Sequence, residues 1–241
     1  MKKAVYKTML IVSVLVSCCV GSVYAQEASG VVFNDLNANG TLDSGEPPVP
    51  NVAVSNGEEV LLTDQEGKYT LPLNEDGVLF VIKPSGWALP IDIITKKSLG
   101  YYIHCPEGSP KLKYGGIPPT GPLPEKIDFP LKQQQESQPF KILCMGDSQP
   151  RNLEEINFFA QDLVTEVRGS DAAFGITLGD LVFNDLRMYE PMAQATGMIG
   201  VPWYYVPGNH DMDEDAPTWQ QNYDSFKAFF GPSYYAFAYA D

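Results

Sequence analysis

The chain reads as a small all-β sandwich followed by an α/β unit, and three observations predict this. Residues 30–82 hold short β-rich runs broken by Asn56-Gly57, Glu66-Gly67 and Asp76-Gly77, with no 3.6-residue period. A proline-rich stretch then intervenes. After Pro139, apolar strand-like runs alternate with helical patterns, the signature of a mainly parallel sheet buried on both faces. The length of 241 residues suits two domains, and 44% hydrophobic residues is too apolar for a disordered acidic tail. A net charge of −14 argues against a binder of phosphate backbones or a basic membrane anchor.

Residues 1–25 read as an address. Lys2, Lys3 and Lys7 precede the apolar run Met9 to Val20, and Val23-Tyr24-Ala25 offers a signal-peptidase site. The run is short for a membrane span, so the mature chain is expected to be exported to the periplasm or cell surface without a transmembrane segment. Leu15-Val16-Ser17-Cys18 also resembles a lipobox, which leaves a lipid anchor on Cys18 as the alternative. Of the four cysteines, Cys105 and Cys144 would remain; Cys144, within an apolar run, reads as an inert buried thiol.

The β domain is expected over 26–105, with strands at Val52 to Val54, Glu59 to Leu62, Tyr69 to Leu73 and Val78 to Ile82. Its loop Asp35 to Glu46 matches the twelve-residue calcium pattern. Asp35, Asn37, Asn39, the Thr41 carbonyl, Asp43 and Glu46 are the oxygen ligands, and Gly40 makes the sharp turn. The competing reading is a metal-free turn held by Asx bonds. With Thr63-Asp64 and Gly67-Lys68-Tyr69 following, this stretch also resembles small β-sandwich repeats of bacterial surface proteins.

Residues 106–138 read as a linker or as an arm lying on a neighbouring surface. GGIPPTGPLP at 115–124 has four prolines and three glycines, and KQQQESQ at 132–138 offers nothing to bury. The α/β unit then spans 139–241. Its strands are Phe140 to Met145, Ala172 to Leu178 and Trp203 to Val206. A helix over 152–167 shows Leu153, Ile156, Phe159, Leu163 and Val167 on one face, and a shorter helix covers Leu186 to Thr196. The pentapeptide VFNDL, at 32–36 and 182–186, reads as coincidence because its contexts differ.

Each strand of the α/β unit ends in glycine followed by a polar side chain: Gly146-Asp147, Gly179-Asp180 and Gly208-Asn209-His210. Carboxyl ends of such strands converge on one crevice, and two carboxylates, an amide and an imidazole there could serve divalent ions. Gly146-Asp147-Ser148-Gln149, Gly179-Asp180 and Gly208-Asn209-His210-Asp211 resemble the calcineurin-like metallophosphoesterases, and the β domain is similar to the N-terminal domain of secreted bacterial members. The resemblance implies the first part of a four-layer αββα sandwich. It also implies two divalent ions (manganese, iron, zinc and magnesium being indistinguishable) and hydrolysis of a small phosphomonoester or phosphodiester. Asp147 would hold the first ion with Gln149 beside it, Asp180 would bridge, and Asn209 would hold the second. His210 would serve the leaving oxygen, or alternatively ligate metal, with Asp211 orienting its ring.

Two departures stand against this. Gln149 replaces the histidine of the family's Asp-x-His, and no histidine follows His210, where the family has further ligands. His104, the other histidine, reads as structural. FFGPSYYAFAY at 229–239 resembles a hairpin leading into a second sheet, so the expectation is a truncated hydrolase. The alternative is a non-catalytic cell-surface or binding module carried by the β domain. No phosphate-loop, dinucleotide or serine-elbow motif is present.

Overall fold

The computed structural model describes residues 26–240; the signal and lipobox readings fall outside them. The β domain contains β1 (Gln26–Asn34), β2 (Ala53–Ser55), β3 (Val60–Leu62), β4 (Lys68–Leu73), β5 (Gly77–Ile82), β6 (Trp87–Ala88), β7 (Tyr101–His104) and β8 (Phe129–Gln133). They form two sheets, β4-β1-β8-β6 and β3-β2-β5-β7. The alternation of β4 shows why: Tyr69, Leu71 and Leu73 turn inward while Lys68 and Thr70 face water. Those side chains meet Val32, Val54, Leu79 and Phe129 in one core.

Four strands, β1, β6, β7 and β8, lie outside the expected runs, and β1 and β8 carry no local strand signal. β1 opens with Gln26, Glu27, Ser29 and Gly30, which lack an apolar alternation. Its extension comes from pairing, antiparallel from Gln26↔Leu73 to Val31↔Lys68 and then parallel from Val32↔Phe129 to Asn34↔Leu131. β8 falls inside the expected linker: Phe129 and Leu131 are buried on either side of Pro130. Other residues of that stretch contact the second domain. The Tyr114 hydroxyl donates to the Asn184 carbonyl at 2.6 Å, and the Gly116 N–H donates to Ser225 Oγ at 3.2 Å.

The second domain follows as β9 (Ile142–Met145), α1 (Leu153–Phe159), a π-helical turn (Ala160–Val164), α2 (Thr165–Val167), β10 (Phe174–Leu178), α3 (Tyr189–Gly197), β11 (Trp203–Val206) and α4 (Asp224–Phe230). Its sheet is parallel, in the order β11-β10-β9. Asn152 caps α1, its side chain accepting from the Glu155 N–H at 3.0 Å. The π turn corrects the expected helical face. Its wider turn rotates the following residues, so Val164 is buried and Leu163 is 41% exposed. One sheet face packs on these helices through Trp203, Tyr205, Ile156, Val182 and Phe226. On the other, Phe237 stacks on Tyr204 at 4.3 Å and Tyr239 packs against Phe174 at 5.6 Å.

Two further expectations are corrected here. The 229–239 segment makes no hairpin: α4 takes Phe229 and Phe230, and the remainder runs singly, bridging Lys83↔Phe237. Cys144 is exposed, because β9 is an edge strand with only part of its outer face covered. Cys105 is a buried free thiol donating to Asp76 at 3.0 Å, and burial pushes it up to about 12.

The domains dock closely. The Trp203 N–H donates to the Lys96 carbonyl at 2.9 Å, so a β-domain loop caps the outer edge of β11. Lys83 and Glu136 form a buried ion pair at 2.6 Å, with side-chain exposures of 5% and 3%. Lys83 also donates to the Ala238 carbonyl at 2.7 Å. Glu136 accepts from Ser85 Oγ and the Gly86 N–H at 2.9 Å and from the Ala240 N–H at 2.7 Å. Burial alone would raise the Glu136 carboxyl, but these bonds outweigh it and hold it at about 2, below its ordinary 4.5.

With a depressed folded-state value, the pair's stabilisation is complete above pH 4.5 and is lost as pH falls towards 2. Urea midpoints from pH 7 to 2 should show that loss, and Glu136→Gln should flatten it. The variant should also cost about 3 kcal/mol or more at pH 7, because the Lys83 ammonium is left buried without its counter-charge.

Candidate functional site

The carboxyl ends of β9 and β10 lead into loops with unusual backbone. Asp147, Gln149, Asp180 and Asn184 all adopt positive φ, at 51°, 39°, 49° and 57°. Left-handed non-glycine residues are uncommon and cluster where surrounding contacts hold them in place. The contact here is backbone against backbone. A Cβ on Gly179 would lie 3.1 Å from Gly208 Cα, and a Cβ on Gly208 would lie 2.1 Å from Asp180 Oδ1. Glycine before each polar residue lets the β10 and β11 loops touch.

The side chains then form a knot. Asp180 is buried, and both of its oxygens accept bonds: Oδ1 from the His210 N–H and Oδ2 from Gln149 Nε2, each at 2.9 Å. Asp211 is fully buried. Its carboxylate accepts from the Leu181 N–H at 3.1 Å to each oxygen and from the Gly208 N–H at 2.8 Å. Burial pushes Asp211 up to about 6; the N–H bonds oppose this, and the nearby Asp180 charge adds to it. Asp211 therefore ties the loop backbones together. The His210 ring is oriented instead by Asn184, whose Oδ1 lies 2.7 Å from Nδ1, and by stacking on Phe183 at 4.6 Å. Arg151 lies over the Phe183 ring at 4.6 Å.

The structure thus gathers Gln149, Asp180, His210 and Asp211. No hydrogen bond joins the Asp147 or Asn209 side chain to this knot among the described residues. Sequence reasoning missed Phe183 and Asn184, which sit within the second VFNDL. Their signal is spacing: Asn184 falls four residues after Asp180, far enough for the chain to turn back over His210.

The two-ion expectation is overturned. Among the described residues no three His, Cys, Asp or Glu side chains gather as a metal site. Asp180 and Asp211 already accept protein N–H groups, Gln149 donates to Asp180, and His210 is the sole imidazole in the knot. The calcium expectation fails on the same finding. The loop oxygens serve the loop itself: Asp35 accepts from the Gly40 N–H at 2.8 Å, Asp43 from Asn37 and Asn39 at 2.8 Å, and Glu46 from the Leu36 and Asp43 N–H groups at 2.9 Å. It is an Asx-bonded turn. His104 is fully buried in β7, with neither ring nitrogen hydrogen-bonded among the described residues. Burial lowers its pKa, favouring the neutral ring.

Residues 36–108 match the family model described as N terminal of Calcineurin-like phosphoesterase. That stretch covers the first domain from the Asp35 loop to the start of the arm. A search of curated proteins finds no match. The architecture is a β-sandwich domain preceding an α/β region with a three-stranded parallel sheet. No helix among the described residues is long and apolar enough to cross a membrane.

The tightest contact in the site gives a direct test. Gly208→Ala should destabilise the protein by about 2 kcal/mol or more, since the new methyl must displace Asp180 and with it the bond to the His210 N–H. Thermal melts of Gly208→Ala beside Gly146→Ala, where the added Cβ meets nothing within 4 Å, should show the loss only in the former.

Proposed function

We propose that this chain acts as a non-catalytic binding module, presented outside the cytoplasm, in which the β domain and its docked α/β partner form one recognition unit. The observation that carries this reading is the state of the strand-end carboxylates. Asp180 and Asp211 accept hydrogen bonds from the loops around them, and no three-ligand cluster stands beside them. A phosphoesterase working through metal needs carboxylates free to bind ions and several imidazoles around them. The strained loops here are used to hold backbone against backbone. Support comes also from the family match, which falls on the β domain.

Hydrolysis of p-nitrophenyl phosphate and bis(p-nitrophenyl) phosphate, with manganese added, tests the proposal. The folded chain and Asp180→Ala should both show no turnover above buffer. Turnover by the parent that Asp180→Ala abolishes, with the variant's circular dichroism unchanged, would overturn it.

A further inference from the structure

The docked domains enclose a cleft of about 500 Å³, lined by none of the knot residues Gln149, Asp180, His210 and Asp211. One wall is the β-domain turn Asn74 to Val78 together with Glu58; the other is the 219–234 segment. Its volume lies within the range of roughly 300–1,000 Å³ typical of small-molecule sites.

Two large aromatic side chains stand in water at this cleft. Trp219 is 77% exposed and packs on no other ring among the described residues, while Tyr234 is 61% exposed. The Tyr234 hydroxyl donates across the cleft to the Gly57 carbonyl at 3.2 Å, which holds that ring in place. Glu58, Glu75, Gln220 and Tyr223 also line the cleft, and none of their side chains forms a hydrogen bond among the described residues. The set contains both acceptors and donors: two carboxylates, one amide and one phenol.

Charge narrows the ligand. Glu58, Glu75, Asp76 and Asp224 face a single cation, Lys227, whose ammonium lies 2.5 Å from Asp224. An anionic ligand such as a phosphate ester would be repelled. An ammonium group, which only donates, would leave the N–H and O–H donors of Gln220 and Tyr223 unmatched. Sugar hydroxyls donate and accept, and the C–H face of a pyranose stacks on an exposed indole or phenol. We infer that the interdomain cleft binds a neutral oligosaccharide, with Trp219 as the stacking platform and Glu58, Glu75 and Gln220 holding hydroxyls.

The inference rests on the binding-module reading and names its site and ligand class. The test titrates the full chain with maltotriose, cellotriose, mannotriose and chitotriose to about 10 mM, following tryptophan fluorescence and heat of binding. At least one sugar should saturate. Trp219→Ala should weaken that sugar tenfold or more, and Glu75→Gln several-fold, with melting temperatures unchanged. Glucose 6-phosphate and spermidine should not compete. A silent panel, binding that Trp219→Ala leaves intact, or spermidine binding tighter than every sugar would overturn the inference. Sugar titration and hydrolysis are read separately. A silent panel without turnover removes the cleft alone, while turnover alongside sugar binding removes the non-catalytic reading alone.

Discussion

The ion pair between Lys83 and Glu136 fixes how the parts of this protein meet. Lys83 follows β5 of the sandwich, Glu136 lies in the segment leading to the second domain, and the residues they bind further on, Ala238 and Ala240, belong to the last stretch of chain. Two buried charges are stable together only when their remaining hydrogen-bonding capacity is also met. Here Ser85, the Gly86 N–H and the Ala240 N–H meet that of Glu136. The pair therefore needs all three segments in place at once. It holds Phe237 and Tyr239 near the outer face of the α/β sheet and the sandwich against its edge.

The strand ends obey a similar rule on a smaller scale. The close passage of the β10 and β11 loops leaves N–H groups of Leu181, Gly208 and His210 without strand partners. Asp211 and Asp180 supply the acceptors. A carboxylate so used braces a loop well, but its lone pairs are directed at N–H groups instead of towards an open crevice. The same residue types at the same spacing can thus serve a metal centre or a backbone brace, and the surrounding donors decide which.

How much of this was legible follows from where each signal resides. β4, β5, β10 and β11 carry their own apolar alternation or continuous apolar runs, so their sequence marks them. β1 and β8 are extended because a partner strand satisfies their backbone, a fact no local pattern records. Glu136 looked like part of a solvated glutamine-rich stretch because its partner lies 53 residues away. The convergence of Gln149, Asp180 and His210 was legible, since strand ends of a parallel sheet must share an edge. The direction of their bonds was not. Motif spacing says which groups can meet, while orientation depends on backbone contacts such as Gly208 against Asp180. The π turn that exchanges Leu163 for Val164 is a further case, a one-residue change of phase invisible to any fixed period.

The interdomain cleft follows from the docking. The turn at Asn74 to Val78 is polar because it ends a strand of the sandwich, and the 219–234 segment is rich in aromatic residues because α4 and its flanks must cover the α/β core. Phe226 and Phe230 do so, fully buried or nearly so. Trp219 does not, since the short turn that carries it, Trp219–Gln221, lies before α4 and beyond the core's edge. Bringing these two surfaces together places unpaired carboxylates and an amide opposite exposed rings, a combination that neither domain holds alone. Recognition at the proposed cleft would therefore depend on the relation between the domains, and the buried pair at Lys83 and Glu136 helps maintain that relation.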